Sequence, residues 1–185
     1  MSGKLVVLTG RARSGKTTVS RYLCNEHGFV LVKFAGVLKD MLYTLGLDWD
    51  QVEGGLKEHP CELLGGKTPR HAMQTLGTEW GRDMIHQDLW VNAWRQNVQQ
   101  HLDQGLNVVT DDCRFDNELA AAMELDALVI KLVRPQTEND VDAGHSSESV
   151  PEMFHWQVDN TEGILALQEQ IKQVLCLQQQ IEMGV

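Results

Sequence analysis

The sequence predicts an α/β fold with a mainly parallel sheet covered by helices on both faces. Three observations carry this. Short β-branched runs alternate with segments of helical period, a glycine-rich stretch from Gly10 joins the first strand to the first helix, and the length of 185 residues suits one compact domain with an insertion.

The elements follow in order. Leu5–Thr9 is an apolar run ending at a glycine. A helix over 16–25 and a strand over 28–34 come next. Val37, Leu38, Met41, Leu42 and Leu45 recur at helical spacing, which predicts a second helix stopping near Gly46. From 47 to 66 the pattern is broken by Gly54, Gly55, Pro60, Gly65 and Gly66, as in a mobile, partly helical insertion. Met73 and Leu76 suggest a further helical turn or two, and Asp88 is a candidate cap for a helix with Val91, Trp94, Val98 and Leu102 inward. A strand over 106–110 delivers Asp111 and Asp112 to its C-terminal end. After it come a helix over 116–125, a strand over 127–133, a polar lid over 135–149 and a short strand over 156–158. Ile164, Leu167, Ile171, Val174 and Ile181 form the stripe of a closing helix. The expected organisation is one domain: a core of 1–46, 105–134 and 150–185, an insertion over 47–104, and the lid.

Composition excludes several classes. Hydrophobic residues at 42% and charged residues at 23% are ordinary for globular proteins, so disorder and fibrous architectures are poor readings. A net charge of −10 disfavours nucleic acid and anionic membranes as partners, although a local basic pocket can still hold a small anion. Cys24, Cys61, Cys113 and Cys176 stand apart, without the close pairs of a zinc ribbon or a disulfide scaffold. His59 and Cys61 lack a second ligand pair. Reduced thiols in a cytoplasmic protein, with no signal peptide and no membrane span, are the expectation.

Gly10-Arg11-Ala12-Arg13-Ser14-Gly15-Lys16-Thr17 matches the phosphate-binding pattern G-x-x-x-x-G-K-[ST] between a strand and a helix. Glycines let the backbone wrap a phosphate, so successive N–H groups and the helix N-terminus face its charge. Lys16 would reach the β- and γ-phosphates, and the Thr17 hydroxyl would ligate Mg²⁺. Arg11 and Arg13 add positive potential or are simply exposed. This motif sharpens the fold to a three-layer P-loop NTPase with ATP as ligand. Asp111 or Asp112 could stand beside the cradle and orient the metal; neighbours on a strand point to opposite faces, so not both. Arg70, Arg82, Arg114 and Arg134 make surface ion pairs or hold phosphate groups.

The chain resembles the phage-type deoxynucleoside monophosphate kinases of the P-loop nucleoside monophosphate kinase group. Besides the loop, the matching segments run from Phe34 to Lys39, Thr68 to Arg70, Gln74 to Arg82, Asp112 to Phe115, Asn117-Glu118, and His145 to Glu148. The resemblance implies transfer of the ATP γ-phosphoryl group to a deoxynucleoside 5′-monophosphate. It implies an ATP site of Gly10, Arg13, Ser14, Gly15, Lys16, Thr17, Thr18 and Asn160. It implies an acceptor site of Phe34, Lys39, Arg70, Gln74, Trp80, Arg82, Arg114 and Glu148. Lys16, Asp112, Arg114 and Arg134 would act in catalysis, with Thr17 and Asp112 on Mg²⁺. Asp112 is favoured over Asp111 because it heads the D-x-R segment. Trp80, Phe34 and Leu38 are also explained as core packing, and Ser149 with Glu152 as a helix capping box. A homodimer, in a host cytosol if the chain is virally encoded, is a further expectation. The rival readings are a kinase for another small metabolite such as dephospho-coenzyme A, and a nucleotide-dependent switch. A guanine-nucleotide switch would need an N-K-x-D segment, and the chain has none.

Overall fold

The computed structural model describes residues 3–135 and 153–184. Its elements are β1 (Leu5–Thr9), α1 (Lys16–His27), β2 (Val30–Leu31), α2 (Gly36–Leu45), α3 (Trp49–Val52), α4 (Pro69–Gln74), a π-helix (Thr75–Ile85), α5 (Leu89–Asp103), β3 (Val108–Thr110), α6 (Asp116–Met123), β4 (Leu128–Val133), β5 (Trp156–Asp159) and α7 (Ile164–Met183). They divide into two compact units, one of residues 1–32 with 98–185, the other of 33–97.

The first unit holds a five-stranded sheet in the order β2-β3-β1-β4-β5, and every pairing is parallel. A wholly parallel sheet is buried on both faces, which is why its strands read as unbroken apolar runs. Val6 and Leu8 of β1 join Val19 and Leu23 of α1 and Leu167 and Ile171 of α7 in one core. Leu5 and Val7 point to the opposite face and are buried there as well. The strand expected over 28–34 is only two residues long. Val30 and Leu31 register with Val108 and Val109, and the chain then turns as Gly36 N–H donates to the Lys33 carbonyl. Along α7 the stripe also shortens: Leu167, Ile171 and Val174 are buried, whereas Ile164 and Ile181 are exposed.

The second unit has its own core of Leu38, Leu42, Leu47, Val52, Cys61 and Trp90. Because the inward face of α2 packs into that core, residues 33–46 cluster with the insertion rather than with the sheet. The glycine-broken stretch contains α3 and two 3₁₀ turns, Gly55–Glu58 and Glu62–Leu64. Asp48 caps α3 reciprocally: its Oδ1 accepts from Gln51 N–H, and Gln51 Oε1 accepts from Asp48 N–H, both at 2.9 Å. Thr68 caps α4, with Pro69 in the first turn. The helical turn expected near Met73 and Leu76 is much longer, since α4 runs directly into the π-helix.

Candidate active site

The loop between β1 and α1 departs from ordinary backbone at three places, Gly10 (φ 134°), Arg13 (φ 62°) and Gly15 (φ 110°). A side chain is excluded at both glycines. A Cβ on Gly10 would lie 2.3 Å from the Leu132 carbonyl oxygen, and one on Gly15 would lie 2.7 Å from Asn160 Nδ2. Inside this wrap, Lys16 Nζ donates to the Gly10 and Arg11 carbonyls at 2.6 and 2.8 Å. Gly15, the N-cap residue of α1, has no side chain with which to cap it, and the first turn carries no acid. The positive end of the helix dipole and the N–H groups of the first turn therefore favour an anion there.

Ser14 is 3% exposed, and its hydroxyl has no hydrogen-bond partner among the described residues. Its carbonyl accepts from Asn160 Nδ2 at 3.0 Å, while Asn160 N–H donates to Val133 at 2.7 Å. Asn160 thereby ties the loop to the end of β4. Next to the loop is a cavity of about 470 Å³ lined by Arg13, Gly15, Lys16, Thr17, Thr18, Arg134 and Asn160, with Gly163, Ile164 and Leu167 as its apolar side. The exposed Ile164, lost from the core stripe, is part of this wall.

At the end of β3, Asp111 is 5% exposed and its Oδ2 accepts from Ser20 Oγ at 2.6 Å. Ser20 lies one turn beyond Thr17, and its Oγ is 3.2 Å from the Thr17 carbonyl. Asp111 thus reaches the loop helix, and Ser20, which the sequence reading passed over, is its partner. Asp112 is partly buried on the neighbouring position. Arg114 is exposed, while its N–H and that of Phe115 donate to Glu118 Oε2 at 2.8 and 3.2 Å. Glu118 is 3% exposed and so fixes the D-x-R segment from within. Burial, and then the negative charges of Glu118, Asp112 and Asp116, push the Cys113 thiol far up, which leaves it protonated and unreactive.

In the second unit the expected acceptor residues have varied surroundings. Lys39 Nζ lies 2.7 Å from Glu53 Oε1, and Lys57 lies 3.8 Å from the other oxygen. Burial acts to raise the Glu53 carboxyl, but the hydrogen bond and charge of Lys39, with Lys33 and Lys57 behind, hold it below its ordinary value. Arg70 Nε donates to Glu58. Sequence reading found these cations and missed their carboxylates. Gln74 is exposed and Arg82 partly so. Phe34 is 3% exposed and stacked on Trp94 with centroids 4.2 Å apart, so its ring is a packing element. Trp80 departs from the packing expectation: it is 37% exposed, with its ring 6.1 Å from that of Trp90. The lid over 135–149, apart from Pro135, lies outside the described residues, as do His145, Glu148 and the Ser149–Glu152 capping box.

Among the described residues no group of three or more His, Cys, Asp or Glu side chains is placed to hold a metal ion. The oxygen donors at the loop, the Thr17 hydroxyl and an aspartate at the end of β3, suit Mg²⁺, which takes one or two protein ligands alongside phosphate oxygens. No described helix is long and apolar enough to cross a membrane.

Comparison with known proteins agrees with this geometry. The family model described as deoxynucleotide monophosphate kinase matches residues 67–171. A protein of Acanthamoeba polyphaga mimivirus named as a deoxynucleotide monophosphate kinase is 32% identical over 148 residues, covering 74% of this chain and 77% of its own. The deoxynucleoside-5′-monophosphate kinase of Escherichia phage T5 is 30% identical over 105 residues, covering 52% of this chain and 41% of its own. Among solved structures, the Mycobacterium tuberculosis APS kinase in complex with AMPPNP and APS aligns at a TM-score of 0.55 and 12% identity, over 94% of this chain and 98% of that one. TT1252 from Thermus thermophilus aligns at 0.54 and 17%, over 95% and 98%. These structural likenesses, with the parallel sheet, show an α/β fold of the P-loop NTPase type.

Proposed function

Because the chain belongs to the deoxynucleotide monophosphate kinase family, we propose that it transfers the γ-phosphoryl group of ATP to a deoxynucleoside 5′-monophosphate, giving the diphosphate and ADP. The observation that carries the donor half is the uncapped N-terminus of α1 behind a glycine wrap, with Lys16 already turned into the loop. Main-chain N–H groups of the loop, with Lys16 and the Ser14 and Thr18 side chains, hold the phosphates. The donor base lies towards Asn160, Gly163 and Ile164. Thr17 and an aspartate at the end of β3 would hold Mg²⁺, which would supply positive charge against that of the phosphates. The Ser20 contact supports Asp111 as that aspartate, whereas the family resemblance favours Asp112.

Lys39, Arg70, Gln74, Trp80 and Arg82 bind the acceptor nucleotide. Arg114 faces its phosphate, and Arg134 stabilises charge on the migrating group. An acceptor phosphate oxygen attacks phosphorus as the bond to the β-phosphate breaks, and the electron pair leaves with ADP. That oxygen is already ionised at neutral pH, so no side chain has to remove a proton. Positioning and charge stabilisation supply the acceleration. The isolated cysteines fit a cytoplasmic protein, and sedimentation would test the homodimer expectation.

The test is ADP release measured with a panel of four deoxynucleoside monophosphates. Turnover should depend on an acceptor, and Lys16→Ala should lower kcat by about 100-fold or more. Rapid ATP hydrolysis with no acceptor present would refute the assignment.

A further inference from the structure

The mechanism above makes no use of Trp90. Its indole is 5% exposed in the core of the second unit, and Nε1 donates to the Gly77 carbonyl at 2.8 Å. The same ring lies against Gly81, where a Cβ would stand 2.6 Å from Nε1 and Cζ2. Gly77 and Gly81 are four residues apart, so on a helix they share a face. One indole therefore spans two glycines of the π-helix, bonded to the first and packed on the second. Eleven residues of π-helix are unusual, since i→i+5 bonding is rare and appears mostly as single turns. Such a stretch needs an outside contact to hold its register. Trp80 and Arg82 flank Gly81 in sequence, and the Trp80 ring is 6.1 Å from that of Trp90.

We propose that Trp90 is a positioning residue for the acceptor nucleotide, holding the π-helical register in which Trp80 and Arg82 are presented. A π turn advances each side chain through a smaller angle than an α turn. Relaxation to α-helix would therefore rotate Arg82 about the axis relative to Arg70 and Gln74 on α4. The inference rests on the proposed role of Trp80 and Arg82 in acceptor binding.

Steady-state kinetics test it. Trp90→Phe removes the N–H donor and should raise KM for the deoxynucleoside monophosphate about tenfold, leaving KM for ATP within about twofold. Replacing Trp90 with benzothienylalanine keeps the bicyclic shape without the N–H. It should give the same split, and it serves if the phenylalanine variant does not fold. Gly81→Ala should raise the acceptor KM further, and combining it with Trp90→Phe should give less than the product of the two effects, because the colliding ring atoms are gone. An equal rise in both KM values, or no change in either, would show that Trp90 only packs. Arg82→Ala is run in parallel. No change there overturns the acceptor assignment itself, whereas a change there with none at Trp90 overturns the positioning role alone.

Discussion

Gly15 and Asn160 show how far the phosphate loop is specified by contacts between single residues. At Gly15 a methyl group would meet both a left-handed φ of 110° and the Asn160 amide. Gly15→Ala should therefore weaken binding of a non-hydrolysable ATP analogue at least about tenfold by calorimetry, and Asn160→Ala should not restore it, because the backbone strain persists. A second residue-level prediction concerns Glu53. Its folded carboxyl sits below the ordinary value, so the unfolded chain binds the proton more tightly. The stabilisation is complete above the ordinary glutamate pKa and disappears as pH falls through the depressed one. The Tm difference between the wild type and Glu53→Gln should then be largest near neutral pH and shrink in acid. At this scale the loop was fully legible, because its chemistry depends on a contiguous string. Glu53 and Glu58 were not, since their pairing with Lys39 and Arg70 arises from folding segments 12 to 14 residues apart against each other.

Elements differ in how strongly sequence pattern determines them. Helix α6 begins where Glu118 turns back to accept the N–H groups of Arg114 and Phe115. Glu118→Ala would remove the buried acceptor of both bonds and should cost about 1–3 kcal/mol in urea unfolding. Glu118→Gln, which keeps an acceptor oxygen, should cost less. The inward faces of α1 and α7 were readable because apolar residues at period 3.6 have one way to be buried. Strand β2 was overestimated because the apolar run continues to Phe34, past the last backbone bond to β3 at Val32, and composition does not report pairing. The π-helix escaped sequence reading for a related reason. Its signal is a pair of glycines whose meaning depends on Trp90, nine residues beyond the second of them.

For the molecule as a whole, ligand binding and folding are linked. A non-hydrolysable ATP analogue at about 100 times its Kd should stabilise the native state by roughly 2.7 kcal/mol, read as a rise in Tm. Lys16→Ala at the same analogue concentration should lose most of that rise. The architecture was predictable from the alternation of strands and helices, but strand order was not, because hydrophobic runs carry no record of which neighbour they take. That order has a consequence for biosynthesis. β1 leaves the ribosome well before its partners, Val108–Thr110 on one side and Leu128–Lys131 on the other. At roughly 5–20 residues per second, the future centre of the sheet spends on the order of ten seconds with both hydrogen-bonding edges unclaimed. A nascent chain stalled before Leu128 should consequently be a chaperone client, and one released there should aggregate through β1.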